Sequence, residues 1–159
     1  MEIGLATTND EIRACFPVIR ELRPRLGEEE FLSTVRRLEP AGYRLAAMGN
    51  TQGTVAVAGF RLGESLAWGN YLYVDDLVTL PSQRSKGYGA ALLSWLHDYG
   101  AQQGCRELHL DSGMQRVEAH RFYAREGMTQ ASLHFIRGIE PPELTLKSDP
   151  FTSPGGLHD

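Results

Sequence analysis

The amino-acid sequence predicts an α/β (α+β) fold, with one central sheet flanked by about four helices. Three observations support this class. Apolar residues recur at helical spacing in about four segments. β-Branched and aromatic residues are concentrated in about six shorter segments. The order strand, helix, strand across residues 70–111 is typical of a βαβ unit, whose two strands are parallel neighbours.

The first part of the chain predicts a strand and two helices. A short strand is expected over 3–6. Asn9 or Asp10 is expected to cap a helix over about 10–23, because both side chains accept hydrogen bonds from free N–H groups. A second helix over about 28–38 begins with three glutamates and ends with two arginines. Both groups have the sign that the helix dipole favours.

The middle of the chain predicts three strands. Strands over 43–48 and 54–62 are joined by the glycine-containing turn at 49–53, so they form a hairpin. A loop is expected over 63–69. The segment NYLYVDDLVTL, residues 70–80, is rich in β-branched and aromatic residues and predicts a long strand.

The last part of the chain completes the βαβ unit and adds two elements. A helix follows the long strand and runs to about Gln103, where Gly104 is a stop signal. A strand over 106–111 and a helix over about 116–126 come next, and a last strand is expected over 129–136. These elements predict one domain over 1–140, followed by a Pro- and Gly-rich, loosely held tail over 141–159.

Composition excludes several classes of protein. The formal net charge is −4, from 16 Lys and Arg against 20 Asp and Glu, which argues against a nucleic-acid partner. No apolar run approaches the length of a membrane span, and the N-terminus has no apolar signal core, so a cytoplasmic protein without a membrane partner is expected. Cys15 and Cys105 are too few for a disulfide framework. Since no Cys- or His-rich cluster occurs, no metal site is expected.

The segment PSQRSKGYGAALLSWL predicts an anion site at the start of a helix. A helix N-terminus exposes N–H groups without intrahelical partners and carries partial positive charge. Gly87 and Gly89 allow close approach to this backbone, and Arg84 and Lys86 add charge. A pyrophosphate suits such a site. The alternative is a tight turn with no ligand, because a short glycine pattern is a weak signal.

A longer stretch, LVTLPSQRSKGYGAALL, resembles the acetyl-CoA motif of the GNAT family of N-acetyltransferases. The family pattern is Leu-x-Val-x-Pro, two residues, then Arg-Gly-x-Gly-x-Gly. Thr79 stands where valine is usual, and Ser85 replaces the first glycine. AHRFYAREGM, residues 119–128, resembles the family's later motif, with Arg116 at its asparagine position. These motifs are also similar to those of aminoalkylphosphonate and diamine acetyltransferases. The resemblance to the family covers about residues 3–137.

This resemblance implies a fold and a cosubstrate. The fold is a mixed, mostly antiparallel sheet of six to seven strands, whose parallel fourth and fifth strands splay apart to admit the pantetheine arm of acetyl-CoA. Pantetheine is then expected to pair with the backbone of Leu77, Val78 and Thr79. Further coenzyme contacts are expected around the pyrophosphate from Arg84, Ser85, Lys86, Gly87, Tyr88, Gly89 and Ala90, and from Arg116.

The resemblance also implies acetyl transfer to an amine, which needs a proton acceptor and a proton donor. Asp75 is the first choice of base, acting through water, and Asp76 the second. Strand alternation is expected to send them to opposite faces, and solvated or bulge-associated carboxylates are the alternative. Tyr123 is the expected acid toward the leaving thiolate. Direct attack by the amine requires no cysteine nucleophile.

The sequence leaves the identity of the acceptor amine open. A polyamine or aminoglycoside would be bound by acidic side chains: Glu21, Glu28, Glu29, Glu30 and Glu64. An aminoalkylphosphonate would call on basic ones: Arg20, Arg23 and Arg25. A protein amine is also possible, and a homodimer is expected only because many relatives dimerise. The alternative to an enzyme is a silent acyl-CoA-binding module of the same fold.

Overall fold

A computed structural model describes residues 1–140 of the 159-residue chain. The predicted tail over 141–159 lies outside these residues. The helices and strands follow one another in this order: β1 (Glu2–Leu5), α1 (Asn9–Leu22), α2 (Glu28–Leu38), β2 (Tyr43–Asn50), β3 (Gly53–Ser65), β4 (Gly69–Thr79), α3 (Tyr88–Gln102), β5 (Glu107–Leu110) and α4 (Val117–Arg125). Short 3-10 helices precede β2 and α3, at Glu39–Ala41 and Pro81–Gln83. Met1–Leu110 form one compact unit, and Asp111 begins a second.

The sheet has the spatial order β1-β2-β3-β4-β5. The first three pairings are antiparallel, and β4 pairs with β5 in parallel, as the βαβ order predicts. Strands β3 and β4 also form a hairpin and extend beyond their predicted bounds, since Ser65 still pairs with Gly69 and the expected loop over 63–69 is reduced to a tight turn. The mixed, mostly antiparallel sheet is therefore confirmed.

The number of strands differs from the prediction. Residues 1–140 contain five strands rather than six to seven. The prediction of a strand over 129–136 is wrong. A strand needs a neighbour for its backbone groups, and period-2 apolar alternation has meaning only when one face is buried. In this segment Leu133, Phe135 and Ile136 are all exposed, so the apolar residues do not define a buried face.

Both N-terminal helices form where the sequence predicts them, with one correction at the start of α1. Thr8, not Asn9 or Asp10, is the cap: its backbone is extended (φ −86°, ψ 161°), and the Glu11 N–H donates to its Oγ1 at 3.1 Å. Thr8 Oγ1 donates in turn to Glu11 Oε1 at 3.1 Å, a reciprocal arrangement that holds the first turn. The bounds predicted for α2 are confirmed.

Helices α1 and α2 cover one face of the sheet, and α3 covers the other. Successive strand residues point to opposite faces, so Val57 and Phe60 of β3 do not share one. Val57 belongs to the core under α1 and α2, together with Ile12 and Phe31. Phe60 contacts Tyr99 of α3 edge to face, with ring centroids 5.6 Å apart. The face under α1 and α2 is the one that holds the candidate site.

Candidate active site

A β-bulge in β4 places two adjacent carboxylates on the same side of the sheet. Gly59 of β3 pairs with Asp76, and the next pair is Phe60 with Val74, so Asp75 is the extra residue of the bulged strand. Asp75 and Asp76 both line one pocket. The prediction that alternation sends them to opposite faces is therefore wrong, because alternation holds only where the ladder has no extra residue.

The pocket has a volume of about 480 Å³ and lies between α1, α2 and the sheet. Its walls are mostly apolar side chains from the helical side: Ile19, Leu26, Phe31, Val35, Leu38 and Ala41, with Thr34 among them. Its polar groups come from the end of α1 and from the sheet: Arg23, Tyr43, Arg61, Asp75 and Asp76. An apolar cleft with a few convergent polar groups is the usual form of a small-molecule site.

Asp76 is held by a partly buried network. Arg23 donates to Asp76 Oδ1 from Nη2 at 2.8 Å and from Nε at 3.1 Å, and the Tyr43 hydroxyl donates to Oδ2 at 3.0 Å. The Asp76 side chain is only 14% exposed, and burial raises its pKa above the usual range, against the opposing effects of Arg23 and Tyr43. Burial and the Asp76 carboxylate raise the pKa of Tyr43 well above its usual range. Both oxygens of Asp76 are thus engaged.

Gly59 makes room for this network. A Cβ at this position would lie 2.0 Å from Tyr43 Oη and 2.8 Å from Asp76 Oδ2, both closer than real Cβ contacts allow. Any other residue would therefore have to displace the hydroxyl or the carboxylate. A glycine inside a strand commonly marks a close approach of this kind.

Asp75 has a different partner and is more exposed to solvent than Asp76. Arg61 donates two hydrogen bonds to Asp75, from Nε to Oδ2 at 2.8 Å and from Nη2 to Oδ1 at 3.0 Å. The Arg61 guanidinium also lies 4.9 Å from the centroid of the Tyr73 ring, within cation–π distance. The Asp75 side chain is 30% exposed, about twice as much as that of Asp76. Each carboxylate oxygen has two lone pairs, so Asp75 still has capacity for a further donor.

The predicted pantetheine strand begins next to these carboxylates. Leu77, Val78 and Thr79 are buried and pair with β3, and that pairing continues to Thr79 opposite Ala56. The parallel pairing of β4 with β5 stops at Val74 opposite Leu110. Within residues 1–140, no strand pairs with the second edge of β4 beyond Val74. The parallel pairing ends where β5 itself ends, and the splaying of the two strands stays a prediction.

The glycine segment forms an open turn into α3. Arg84, Lys86 and Gly87 are exposed, and Lys86 Nζ donates to Gln83 Oε1 at 3.0 Å. No side chain caps α3, whose first backbone bond runs from Ala91 N–H to the Gly87 carbonyl at 3.0 Å.

Two residues of this turn have a left-handed backbone. Ser85 has φ 62°, a conformation that costs a non-glycine residue about 1 kcal/mol. Gly87 has φ 81°, and no atom lies within 4 Å of where its Cβ would be. Tyr88, Gly89 and Ala90 follow as the first turn of α3 and are partly buried. Their N–H groups precede the first helical bond, so the turn has the free donors that an anion needs.

The remaining two site residues lie in the second compact unit. Arg116 is the N-cap residue of α4, with its N–H donating to the Gly113 carbonyl at 3.0 Å. Tyr123 is on the buried side of α4 and is only 5% exposed. Their assignment as coenzyme and thiolate contacts stays a prediction.

Few of the charged side chains considered for binding the acceptor lie in this pocket. Of the acidic and basic side chains weighed from the sequence, Arg23 lines the pocket, and the glutamates of α2 do not. Glu29 instead contacts Arg13 at 3.3 Å. Sequence reasoning missed Tyr43, Gly59 and Arg61. A glycine in the middle of the apolar strand pattern was the available signal for the close approach at Gly59.

Three further observations bear on the chemistry. Burial raises the pKa of the Cys15 thiol to about 12, so it is protonated at neutral pH. Among residues 1–140, no cluster of three or more His, Cys, Asp or Glu side chains is placed to hold a metal ion. The helices of that same range are all too short or too polar to cross a membrane.

Comparison with known proteins identifies the family. The family described as "Acetyltransferase (GNAT) family" matches residues 5–128. The chain is 34% identical over 135 residues to the "uncharacterized N-acetyltransferase YhdJ" of Bacillus subtilis (strain 168), covering 84% of this chain and 95% of that protein. It is 27% identical over 141 residues to the aminoalkylphosphonate N-acetyltransferase of Salmonella typhimurium (strain LT2), covering 87% and 91%.

Solved structures agree on the fold. The structure of AAC(6')-Iy in complex with the bisubstrate analogue CoA-S-monomethyl-acetylneamine superposes with a TM-score of 0.73 at 15% identity, covering 87% of this chain and 97% of that one. The putative acetyltransferase from Agrobacterium tumefaciens strain C58 superposes with a TM-score of 0.75 at 21% identity, covering 87% and 100%. The family match spans most of the chain and includes both motifs, so the protein belongs to the GNAT family of acetyltransferases.

Proposed function

We propose that the protein transfers the acetyl group of acetyl-CoA to a primary amine by direct attack in a ternary complex. One observation supports this above the others. The stretch of β4 that has no second partner strand starts at Asp75, in the carboxylate pocket, and leads toward the turn before α3. In this proposal, the acceptor site and the coenzyme site meet on a single strand.

The chain's own backbone fits the coenzyme. Leu77, Val78 and Thr79 would hold the pantetheine arm by strand-like hydrogen bonds, and the N–H groups of residues 84–90 would hold the pyrophosphate. Gly87 fits this assignment, because the turn has no side chain at that position to obstruct a bound anion. Arg84, Lys86 and Arg116 would add positive charge. When bound, acetyl-CoA supplies the acetyl group as a reactive thioester.

Asp75 is the proposed base. A primary ammonium has a pKa of about 10, so the acceptor nitrogen must lose a proton before it attacks. Asp76 has the raised pKa, but its oxygens accept three side-chain hydrogen bonds from Arg23 and Tyr43, whereas those of Asp75 accept two from Arg61. Protonating Asp76 would weaken its ion pair with Arg23 and its hydrogen bond from the buried Tyr43 hydroxyl. Asp75 is more exposed and retains free lone pairs, so it can take the proton directly or through water.

Tyr123 is the proposed acid. A phenol is protonated at neutral pH and can donate to a thiolate as it forms. The protonated, buried Cys15 supports transfer without a covalent enzyme intermediate, because only a thiolate is a strong nucleophile. A homodimer and a cytoplasmic location stay predictions, and no membrane or nucleic-acid partner is proposed.

Two glycines allow a matched test of the coenzyme site. Gly87 and Gly104 lie at opposite ends of α3, both have φ 81°, and neither has an atom within 4 Å of its Cβ position. Gly87→Glu and Gly104→Glu therefore impose the same backbone strain, but only the first places a negative charge at the proposed pyrophosphate site. By calorimetry, we expect Gly87→Glu to weaken acetyl-CoA binding by about 100-fold or more, since like charges repel at close range. Gly104→Glu should bind as the unaltered protein does.

Equal acetyl-CoA affinity in the two variants would contradict the proposed pyrophosphate site at residues 84–90. Turnover is tested separately, by thiol release and by mass detection of acetylated products across a panel of amines. Saturable acetyl-CoA binding with no product from any amine would instead favour a silent acyl-CoA-binding module.

A further inference from the structure

We propose that the acceptor is a monoamine with an apolar aliphatic or aromatic body, and that neither a polyamine nor an amine bearing a strong anion is the preferred substrate. This inference rests on the proposed acetyl transfer and concerns the pocket that contains Asp75 and Asp76. Three properties of the pocket support it: its balanced charges, its occupied arginines and its apolar walls.

The first property is charge balance. The pocket has two carboxylates, and each is matched by its own guanidinium: Arg61 on Asp75 at 2.8 Å and Arg23 on Asp76 at 2.8 Å. One ammonium can still approach the exposed part of Asp75. A second or third ammonium would find only Asp76, which is 14% exposed and already paired with Arg23, and placing an unpaired charge against apolar walls is unfavourable.

The second property is that the pocket's arginines are occupied. Arg23 makes two hydrogen bonds to Asp76, and Arg61 makes two to Asp75. The positive charge of each arginine is therefore already balanced by an aspartate. A phosphonate or carboxylate on the acceptor would find no uncompensated cation among the pocket's lining residues, and it would lie close to two carboxylates of the same sign.

The third property is the wall. Ile19, Leu26, Phe31, Val35 and Leu38 form an apolar surface on the helical side of the pocket. Such a surface gains free energy only by removing apolar area from water, so it favours a substrate that has apolar area to bury. The size of about 480 Å³ is in the range of pockets that enclose small organic ligands.

The first experiment is a homologous series at fixed pH and saturating acetyl-CoA. The amines are propylamine, butylamine, pentylamine and hexylamine, with 2-phenylethylamine, spermidine and 2-aminoethylphosphonate as comparators. We expect kcat/KM to rise by up to about fourfold for each added methylene until the pocket is full. We expect spermidine and the phosphonate to fall below hexylamine by roughly tenfold or more.

The second experiment changes the wall. Leu38 lines the pocket at its rim and is 39% exposed, so Leu38→Asp adds a carboxylate there without burying it fully. Leu66→Asp is the matched control, because Leu66 is fully exposed in the turn between β3 and β4 and does not line the pocket. We expect Leu38→Asp to lower kcat/KM for hexylamine about tenfold and to raise that for the diamine putrescine severalfold. Leu66→Asp should change neither value.

The outcomes separate this inference from the proposed function. Turnover that is flat along the alkyl series, or best with spermidine or with 2-aminoethylphosphonate, overturns the apolar-amine acceptor and leaves acetyl transfer standing. An unchanged preference in Leu38→Asp, with the variant shown to be folded by circular dichroism, overturns the assignment of this pocket as the acceptor site. Product from none of the amines overturns both the inference and the proposed function.

Discussion

Replacing Gly59 by alanine tests whether the pocket network depends on the absence of a side chain. The added Cβ would lie 2.0 Å from Tyr43 Oη and 2.8 Å from Asp76 Oδ2. Since real Cβ contacts are essentially never shorter than 3.0 Å, the hydroxyl must move by about 1 Å or more and lose its 3.0 Å hydrogen bond to Asp76. Overpacking costs about 1–3 kcal/mol, and a hydrogen bond to a charged group contributes about 1.5–3 kcal/mol.

These two costs are alternatives in part, because breaking the bond relieves the overlap. We therefore expect Gly59→Ala to lower the free energy of unfolding by about 2–3 kcal/mol. A domain of this size has about 5–15 kcal/mol in total, so the variant should remain folded. The measurement is urea unfolding followed by tryptophan fluorescence, with the slope m compared to that of the unaltered protein.

Gly4→Ala is the matched control. Gly4 also lies in a strand, its φ is not in the left-handed region, and no atom lies within 4 Å of its Cβ position. There we expect no loss, or a gain of up to about 1 kcal/mol from the stiffer unfolded chain. A double-mutant cycle with Tyr43→Phe, which removes the nearest atom, should give a coupling of about 1–2 kcal/mol. The reasoning is refuted if Gly59→Ala costs no more than Gly4→Ala, or if the cycle is additive.

Three further predictions concern single side chains. Asp75→Asn should lower kcat/KM by about 100-fold or more with little loss of stability, and unchanged kinetics would exclude Asp75 as the base. A raised Tyr43 pKa means that the folded state holds the phenol proton more tightly. Stability should therefore be intact below pH ~10 and fall above it by up to ~1.4 kcal/mol per pH unit, relative to Tyr43→Phe; parallel alkaline unfolding curves would contradict this. Tyr123→Phe should lower kcat more than acetyl-CoA affinity, and the reverse would make Tyr123 a packing residue.

The regular elements were predictable because their signals are local. In α2, the apolar spacing, the glutamates of the first turn and the arginines of the last turn all indicate the same helix, and its bounds are confirmed. The parallel pairing of β4 and β5 follows from the helix between them. The strand expected over 129–136 failed because its alternation describes only the sequence, whereas a strand also depends on a neighbour and a buried face.

The sequence raised a bulge at the two aspartates only as an alternative, and the structure bears that alternative out. Two adjacent aspartates in an apolar strand indicated that something unusual occurs at residues 75 and 76, but alternation assigned them to opposite faces. Which residue is extra depends on the register against β3, where Gly59 lies opposite Asp76. Register is a property of two strands together, so one strand's pattern does not reveal it.

The two halves of the candidate site differ in how far the sequence specifies them, and the reason is physical. The proposed coenzyme half would rely on backbone N–H groups and on glycines, which lie within one continuous stretch from Leu77 to Ala90 and therefore form a recognisable motif. The acceptor half relies on side chains from distant elements: Arg23 and Tyr43 are separated from Asp76 by 53 and 33 positions. Because a carboxylate can be buried only with its partners in place, the contacts that set the charge of the pocket are long-range ones. The coenzyme can therefore be inferred from a motif, whereas the choice of amine depends on how α1, β2 and β4 pack together.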